Sequence, residues 1–200
     1  MPGWVFNALI DRAQQQYGYL TAEDARELDV NPALLRQMAA RNTLEHLGHG
    51  LYRVPLVPVT ALDPYMEAVL WTRRRGVLSH ETALDLYELS DVNPSAIHLT
   101  VPRNFRTRKD RPVTYRLHRD DLPPNERKWH EGLPIVSAER AILGGIEQSL
   151  GWHLIDQAIE KARARGLITI ETAERLAARR NAPTDKDRHG RTGDEAPGQR

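Results

Sequence analysis

The sequence predicts an α+β protein made of two parts: a helical N-terminal unit that ends in a β-hairpin, then a mixed α/β unit with a small sheet and several helices. Three observations lead to this prediction. First, segments with helical periodicity and capping residues at the start of the chain are followed by a glycine-rich turn at 48–50. Second, prolines at 55 and 58 disfavour regular structure there. Third, helical and strand-like runs alternate after these prolines. We predict domains at 1–55 and 59–180.

Three short helices are predicted at the N-terminus. Residues 4–16 place their apolar side chains on one helical face. Thr21, followed three residues later by Asp24, resembles a capping box and begins a helix over 22–28. After a two-residue turn, Asn31 as cap and Pro32 as first helical residue begin a third helix that reaches about residue 42.

A hairpin follows these helices, because residues 44–54 form two strand-like runs around Gly48-His49-Gly50. The order helix, helix, tight turn, helix, hairpin is that of a winged helix-turn-helix. Such units place the helix after the tight turn in the major groove of DNA.

The second unit begins after the prolines, which disfavour both helix and central strand. We predict helices at 64–75 and 79–89, the second capped by Ser79, and strands at 96–101 and 113–118. Three helices at 137–150, 151–165 and 169–180 complete it. Residues 181–200 contain no large apolar side chain and have balanced charge, so they predict a disordered tail.

The composition is that of an ordinary globular chain, with 40% hydrophobic residues and a formal net charge of +1. The absence of cysteine excludes disulfides, thiolate metal sites and a thiol nucleophile. Charged residues enter the N-terminus too early for a signal peptide, and no apolar run approaches the ~18 residues of a membrane span. We expect a soluble, cytoplasmic protein.

The third helix carries the candidate residues for reading DNA bases. Its core-facing side chains leave a second face without any carboxylate, made of Ala33, Arg36, Gln37, Ala40 and Arg41. Arginine and glutamine can pair with guanine and adenine edges, and small alanines allow close approach. The alternative is an ordinary solvated helix face, since both polar types are common on exposed helices.

Phosphate contacts are expected from the hairpin, through His46, His49 and Arg53. Two histidines without a third ligand make a metal site there improbable, and we predict no metal and no cofactor. Residues 1–54 contain five arginines against six acidic residues, so this unit should bind DNA modestly by itself.

Additional contacts to DNA or a partner are expected from a basic loop of the second unit, formed by Arg103, Arg106, Arg108, Lys109 and Arg111. A solvated, mobile loop is an equally good interpretation. A second copy of the chain on a palindromic site would also strengthen binding.

No catalytic motif is present, neither a nucleophile elbow nor a phosphate loop nor paired carboxylates, so we predict a protein that is not an enzyme. Ser79 and His80 are not expected to form a pair, because neighbouring helical residues point apart. His98 and His118 are interpreted as half-buried structural histidines. A metal-dependent nuclease is the enzymatic alternative, although the predicted strands lack the acids and lysine that it needs.

Five stretches support a resemblance when they are taken together: 18–21 (GYLT), 50–54 (GLYRV), 77–84 (VLSHETAL), 97–102 (IHLTVP) and 132–140 (GLPIVSAER). They resemble the AbiEi-type antitoxin and transcriptional-regulator family of bacterial type IV toxin-antitoxin systems, over roughly residues 5–180. The chain departs from that pattern with Ala141, where threonine is usual, and with Gly144-Gly145, where an acidic residue is common.

The resemblance implies a repressor that binds inverted repeats in its own promoter and counters a nucleotidyltransferase-like toxin, without necessarily forming a stable complex with it. The alternative is a protein-binding module in which the winged helix contacts the toxin directly.

Overall fold

The computed structural model describes residues 3–48, 50–108 and 110–181. His49, Lys109 and the predicted tail after residue 181 lie outside the described residues. The fold is α+β, as predicted, with eight α-helices and two sheets among the described residues. No helix in these parts of the chain is both long enough and apolar enough to cross a membrane.

The N-terminal unit contains three helices and a small antiparallel sheet. Its elements are α1 (Gly3–Gln14), β1 (Tyr19–Thr21), α2 (Ala22–Glu27), α3 (Ala33–Ala40), β2 (Glu45–Gly48) and β3 (Leu51–Arg53). The strand order is β1-β3-β2, so the hairpin pairs with a short strand that lies between α1 and α2. Strand β1 was not predicted from the sequence, because three residues are too few for a periodic signal.

Local side-chain hydrogen bonds set the beginnings of the second and third helices. The Thr21 hydroxyl accepts from the backbone N–H of Asp24 at 3.1 Å, and the Asp24 carboxylate accepts from the backbone N–H of Thr21 at 2.7 Å, which completes the predicted capping box. The Asn31 side-chain carbonyl accepts from the backbone N–H of Ala33 at 2.9 Å. Asn31 thus contacts the first residue of α3, but Pro32 takes the N-cap position and the helix begins at Ala33, one residue later than predicted.

The second unit is a five-stranded mixed sheet with helices. Its elements are α4 (Asp63–Trp71), β4 (Val77–Leu78), α5 (His80–Leu86), β5 (Ile97–Val101), β6 (Tyr115–Arg119), a 3₁₀ turn (Pro124–Glu126), β7 (Arg127–His130), β8 (Leu133–Val136), α6 (Ala138–Glu147), α7 (Trp152–Ala164) and α8 (Ile170–Asn181). The strand order is β6-β5-β4-β8-β7, with β5 parallel to β6 and β4 parallel to β8.

Several elements of the second unit differ from the sequence prediction for local reasons. The helix expected to reach residue 75 ends at Trp71, because Arg73 and Arg74 take left-handed backbone conformations with φ of 56° and 58°. Strands β4 and β7 were not predicted, the first because it has two residues and the second because its residues are mostly polar.

The apolar side chains form two clusters. One lies within the N-terminal unit around Leu9, Leu20 and Leu35, all fully buried. The other lies between the five-stranded sheet and its helices, and it also includes Tyr19 and Leu51 from the small sheet. The two units therefore pack against each other, and the domain boundary at 55–58 stays a prediction.

Buried polar contacts also join the units. The carboxylate of Asp24 on α2 accepts from Arg12 at 2.9 Å and from Arg74 at 2.5 Å. Burial by itself would raise the pKa of Asp24, but hydrogen bonds from Thr21 and the charge of Arg74 hold that pKa below its usual value. Arg74, shortly after the end of α4, is thus a contact between the two units.

Candidate nucleic-acid interface

The third helix of the N-terminal unit presents the polar face that its sequence spacing predicted. Leu35 and Met38 are buried in the core, whereas Arg36, Gln37 and Ala40 are exposed. Arg41, directly after the helix, is also exposed, and Ala33 is half-buried. Because Leu35 and Met38 pack into the core, the opposite face of α3 points into solvent, where a ligand can reach it.

The charged groups on this face are not engaged elsewhere. Among the described residues, the guanidinium groups of Arg36 and Arg41 have no hydrogen bond or ion pair, and the Gln37 side-chain amide has none either. Their donors are available for an external partner, and no intramolecular contact has to be broken first.

The hairpin beside this helix has a narrow, glycine-containing tip. Gly48 and Gly50 have φ of 99° and 73°, which favours glycine at both positions. The exposed ring of His46 stacks on Tyr52, with ring centroids 4.9 Å apart. His46 is thereby held on the outer surface of the hairpin, while nothing is described for His49.

Arg53 does not take the role expected for it, because its side chain is turned into the protein. It is 9% exposed and donates to the backbone carbonyl of Val57 at 2.8 Å. It also lies 3.4 Å from the carboxylate of Asp63, at the start of α4. The predicted phosphate contact is therefore corrected: Arg53 ties the hairpin to the second unit.

The basic loop of the second unit is anchored at its first half. Phe105 is 2% exposed and packs against Trp71, and the guanidinium of Arg75 lies 5.5 Å from the centre of its ring. Arg103 pairs with Asp120 at 3.3 Å, and Arg106 donates to backbone carbonyls of the loop itself. These two cations have internal partners.

Further along this loop, Arg108 and Arg111 are exposed, and Lys109 lies outside the described residues. A cleft of about 560 Å³ separates this end of the loop from the hairpin, with Asp110 and Pro112 on one side and Leu47 and Gly48 on the other. A cleft of that size does not hold a duplex. It does place the tip of the hairpin beside the end of the loop that carries Arg108 and Arg111.

Sequence reasoning missed two further cations, Arg26 on α2 and Arg73 after α4, which are exposed and line the same cleft. Arg26 was predictable as a polar residue of the second helix. Arg73 was not, because its orientation depends on the left-handed turn that ends α4. Glu23 and Glu67 also line the cleft, so its walls are of mixed charge.

This arrangement defines the N-terminal unit as a winged helix-turn-helix: three helices, with the third exposed beside a β-hairpin. Residues 7–55 match a family model described as "Transcriptional regulator, AbiEi antitoxin". The resemblance seen in the sequence is therefore confirmed over those residues.

Two other comparisons concern the whole chain. No curated protein matches the sequence. Among solved structures, the RV2827C protein from Mycobacterium tuberculosis is similar, with 15% sequence identity, a TM-score of 0.49, and coverage of 92% of this chain and 84% of that chain.

Proposed function

We propose that this protein is a transcriptional repressor that binds double-stranded DNA in a sequence-specific manner and regulates its own operon. The observation that carries the proposal is the exposed, acid-free face of α3, with two unpaired guanidinium groups, on a unit that matches an AbiEi-type regulator. In helix-turn-helix proteins, the corresponding helix lies in the major groove.

Base recognition is assigned to Arg36, Gln37 and Arg41. A planar guanidinium pairs with two acceptors of guanine, and a side-chain amide pairs with adenine. Ala33 and Ala40 leave room for the backbone to approach or for contact with a thymine methyl group. Each good bidentate pair contributes about 1–3 kcal/mol of discrimination against the wrong base.

Phosphate contacts are assigned to His46 and His49 on the hairpin and to three cations of the basic loop in the second unit, Arg108, Lys109 and Arg111. The N-terminal unit has an excess of one acidic residue up to residue 54, since it holds five arginines and six acids. Its affinity for DNA therefore depends on cations from outside it, or on a second copy bound at an inverted repeat.

We infer in addition that the protein is the antitoxin of a type IV system and counters a nucleotidyltransferase-like toxin. This part rests on the AbiEi match and on the resemblance of the later motifs, and it makes the second unit the seat of antitoxicity. We assign no enzymatic activity, and a stable complex with the toxin is not required.

DNA binding is tested by a mobility shift of the full-length protein on the DNA upstream of its own gene, with unrelated DNA of equal length as competitor. We expect a shift that survives the competitor and weakens as salt rises. A shift that the unrelated DNA abolishes, or no shift at all, overturns sequence-specific binding.

The same protein sample distinguishes the repressor from the two alternative functions, a protein-binding module and a nuclease. If DNA does not shift but the toxin copurifies with the protein, the winged helix acts as a protein-binding module. If DNA is cut during incubation with magnesium or manganese, the protein is a nuclease.

A further inference from the structure

Three histidines meet above the five-stranded sheet, outside the candidate DNA interface. His80 is the first residue of α5, His98 lies on β5, and His118 lies on β6. His118 pairs in register with Thr100, two positions after His98, so His98 and His118 project from the same face of the sheet. The turn from β4 into α5 brings His80 over that face.

The three rings are in direct contact. The Nε2 atom of His118 lies 3.1 Å from the Nδ1 atom of His98. The rings of His80 and His118 stack, with centroids 3.5 Å apart and planes 16° apart. One ring nitrogen from each histidine can be chosen so that all three lie within 4.8 Å of one another.

The surroundings keep the three imidazoles uncharged. Burial, together with the neighbouring histidines, lowers the pKa of His80 to about 3, and burial lowers the pKa of His118 to about 4. The neutral form of each ring, which has one nitrogen lone pair, is therefore favoured, and this is the form that binds metals.

Two fixed cations contribute to lowering these pKa values: Arg116 acts on His98 and His118, and Arg140 acts on His80 and His118. The charge of Arg140 is compensated by three carboxylates, those of Asp120 at 2.9 Å, Glu126 at 3.6 Å and Glu147 at 3.4 Å. The carboxylate of Glu81 also acts on His98, where it opposes the lowering of the pKa. Carboxylates thus offset part of the positive charge around the three histidines.

We propose that His80, His98 and His118 form a binding site for a divalent first-row transition ion, with Zn²⁺ the preferred one. Three imidazoles from three separate elements are a known ligand set for tetrahedral zinc, with the fourth position left to water or another ligand. The site is independent of the proposed DNA binding.

The spacing of the first pair fits such an ion. Two nitrogens bound to one tetrahedral zinc, at Zn–N distances of about 2.0–2.1 Å, stand about 3.3 Å apart. The nitrogens of His98 and His118 are already 3.1 Å apart. An ion between them replaces the hydrogen bond that they share, and the ring that donated this bond then carries its proton on its other nitrogen.

The third ligand requires a tilt of the His80 ring out of its stack with His118, because an ion cannot lie in both of two parallel ring planes. Ser79 is placed to orient that ring, since its hydroxyl lies 2.9 Å from Nδ1 of His80 and also accepts from Thr100 at 2.9 Å. This contact leaves Nε2 of His80 as the ligand atom, an arrangement common in zinc sites.

The test uses the full-length protein, freed of metal by a chelator and titrated with Co²⁺ and then with Zn²⁺. We expect one Co²⁺ per chain, with the intense visible absorption of tetrahedral coordination, and its displacement by one equivalent of Zn²⁺. His118→Gln and His98→Gln should each weaken binding at least tenfold. His153→Gln, which removes an exposed histidine on α7, is the matched control and should leave the affinity for Co²⁺ unchanged.

If the wild-type protein shows no tetrahedral Co²⁺ spectrum, the proposal is overturned whether or not the variants fold. It is also overturned if folded His118→Gln binds as tightly as His153→Gln, because the ion then belongs to another part of the chain. A Zn²⁺-dependent rise in melting temperature, present in the control and absent in His118→Gln, supports it.

Discussion

The carboxylate of Asp24 on α2 accepts a hydrogen bond from the guanidinium of Arg74, 2.5 Å away, at the junction of the winged helix and the second unit. The Asp24 side chain is fully buried, whereas that of Arg74 is 32% exposed. Arg12 and Thr21 donate to the same carboxylate. One buried acid therefore fixes α1, α2 and the end of α4 to each other, and with them the orientation of the winged helix.

Removing the charge of Asp24 should destabilise the whole protein. Asp24→Asn keeps the shape of the side chain but leaves Arg12 and Arg74 without their common partner, and breaking a buried ion pair costs about 3–5 kcal/mol. Because Arg74 is partly exposed, we expect the lower end of that range. The free energy of unfolding, measured by urea denaturation, checks this, and a loss below about 0.5 kcal/mol would contradict the assigned role.

The same acid predicts the response of stability to pH. The folded pKa of Asp24 is lowered, so its contribution is fully present above the unfolded pKa of about 3.9 and is lost as pH falls through the folded pKa. The stability gap between wild type and Asp24→Asn should therefore narrow below about pH 4. Urea denaturation of both proteins from pH 7 to pH 3 measures the gap, and a gap that stays constant refutes the prediction.

Arg53 and Arg36 should respond differently to the same substitution. Arg53→Ala leaves the buried carboxylate of Asp63 without its cation, and we expect a loss of about 1–3 kcal/mol of stability. Arg36→Ala, on an exposed face, should change the free energy of unfolding by less than about 0.5 kcal/mol. Thermal denaturation compares the two, and equal effects would show that Arg53 is not a structural contact.

Gly144 should not tolerate a side chain. A Cβ atom there would lie 2.8 Å from Cδ2 of His80, which is closer than real side chains approach. Overpacking costs about 1–3 kcal/mol, more than the helix propensity that alanine adds, so Gly144→Ala should be destabilising. Gly3→Ala, with no atom within 4 Å of the added Cβ, is the control. A Gly144→Ala protein as stable as this control would contradict the packing of His80 on α6.

The exposed end of the basic loop should influence how DNA binding depends on salt. Replacing Arg108 and Arg111 by alanine together removes two possible phosphate contacts. If both contact DNA, the slope of log K against log salt concentration becomes shallower by about 0.9 per contact. An unchanged slope would show that the loop does not touch the duplex.

The N-terminal unit was largely predictable, because its signals are local. Thr21 and Asp24 determine where α2 begins, and Asn31 contacts the first residue of α3, through hydrogen bonds within three residues. The exposed face of α3 follows from helical spacing. The burial of Arg53 was not predictable, since it depends on Asp63 and Val57 approaching from beyond the hairpin.

The second unit was predicted in class but not in topology. Strand β4 has two residues and lies between β5 and β8 in the sheet. Its partners are distant in sequence, and two residues give no periodic pattern of apolar side chains. The histidine cluster was missed for the same reason. His80, His98 and His118 lie far apart in sequence, and the parallel pairing of β5 with β6 brings the last two together. The expectation that Ser79 and His80 point apart is wrong, because left-handed backbone at His80, with φ of 54°, turns its ring toward the Ser79 hydroxyl.

The most direct test of the proposed function is the affinity of Arg36→Ala for the operator, measured by fluorescence anisotropy at fixed salt beside wild type. Arg163→Ala, which removes an exposed arginine from α7, is the charge-matched control. Loss of one base contact should lower the affinity of Arg36→Ala for the operator by about 5- to 150-fold and relax the sequence preference at one base pair. The affinity of the control should equal that of wild type. Equal affinities of Arg36→Ala and wild type would contradict the assignment of α3 as the helix that reads DNA.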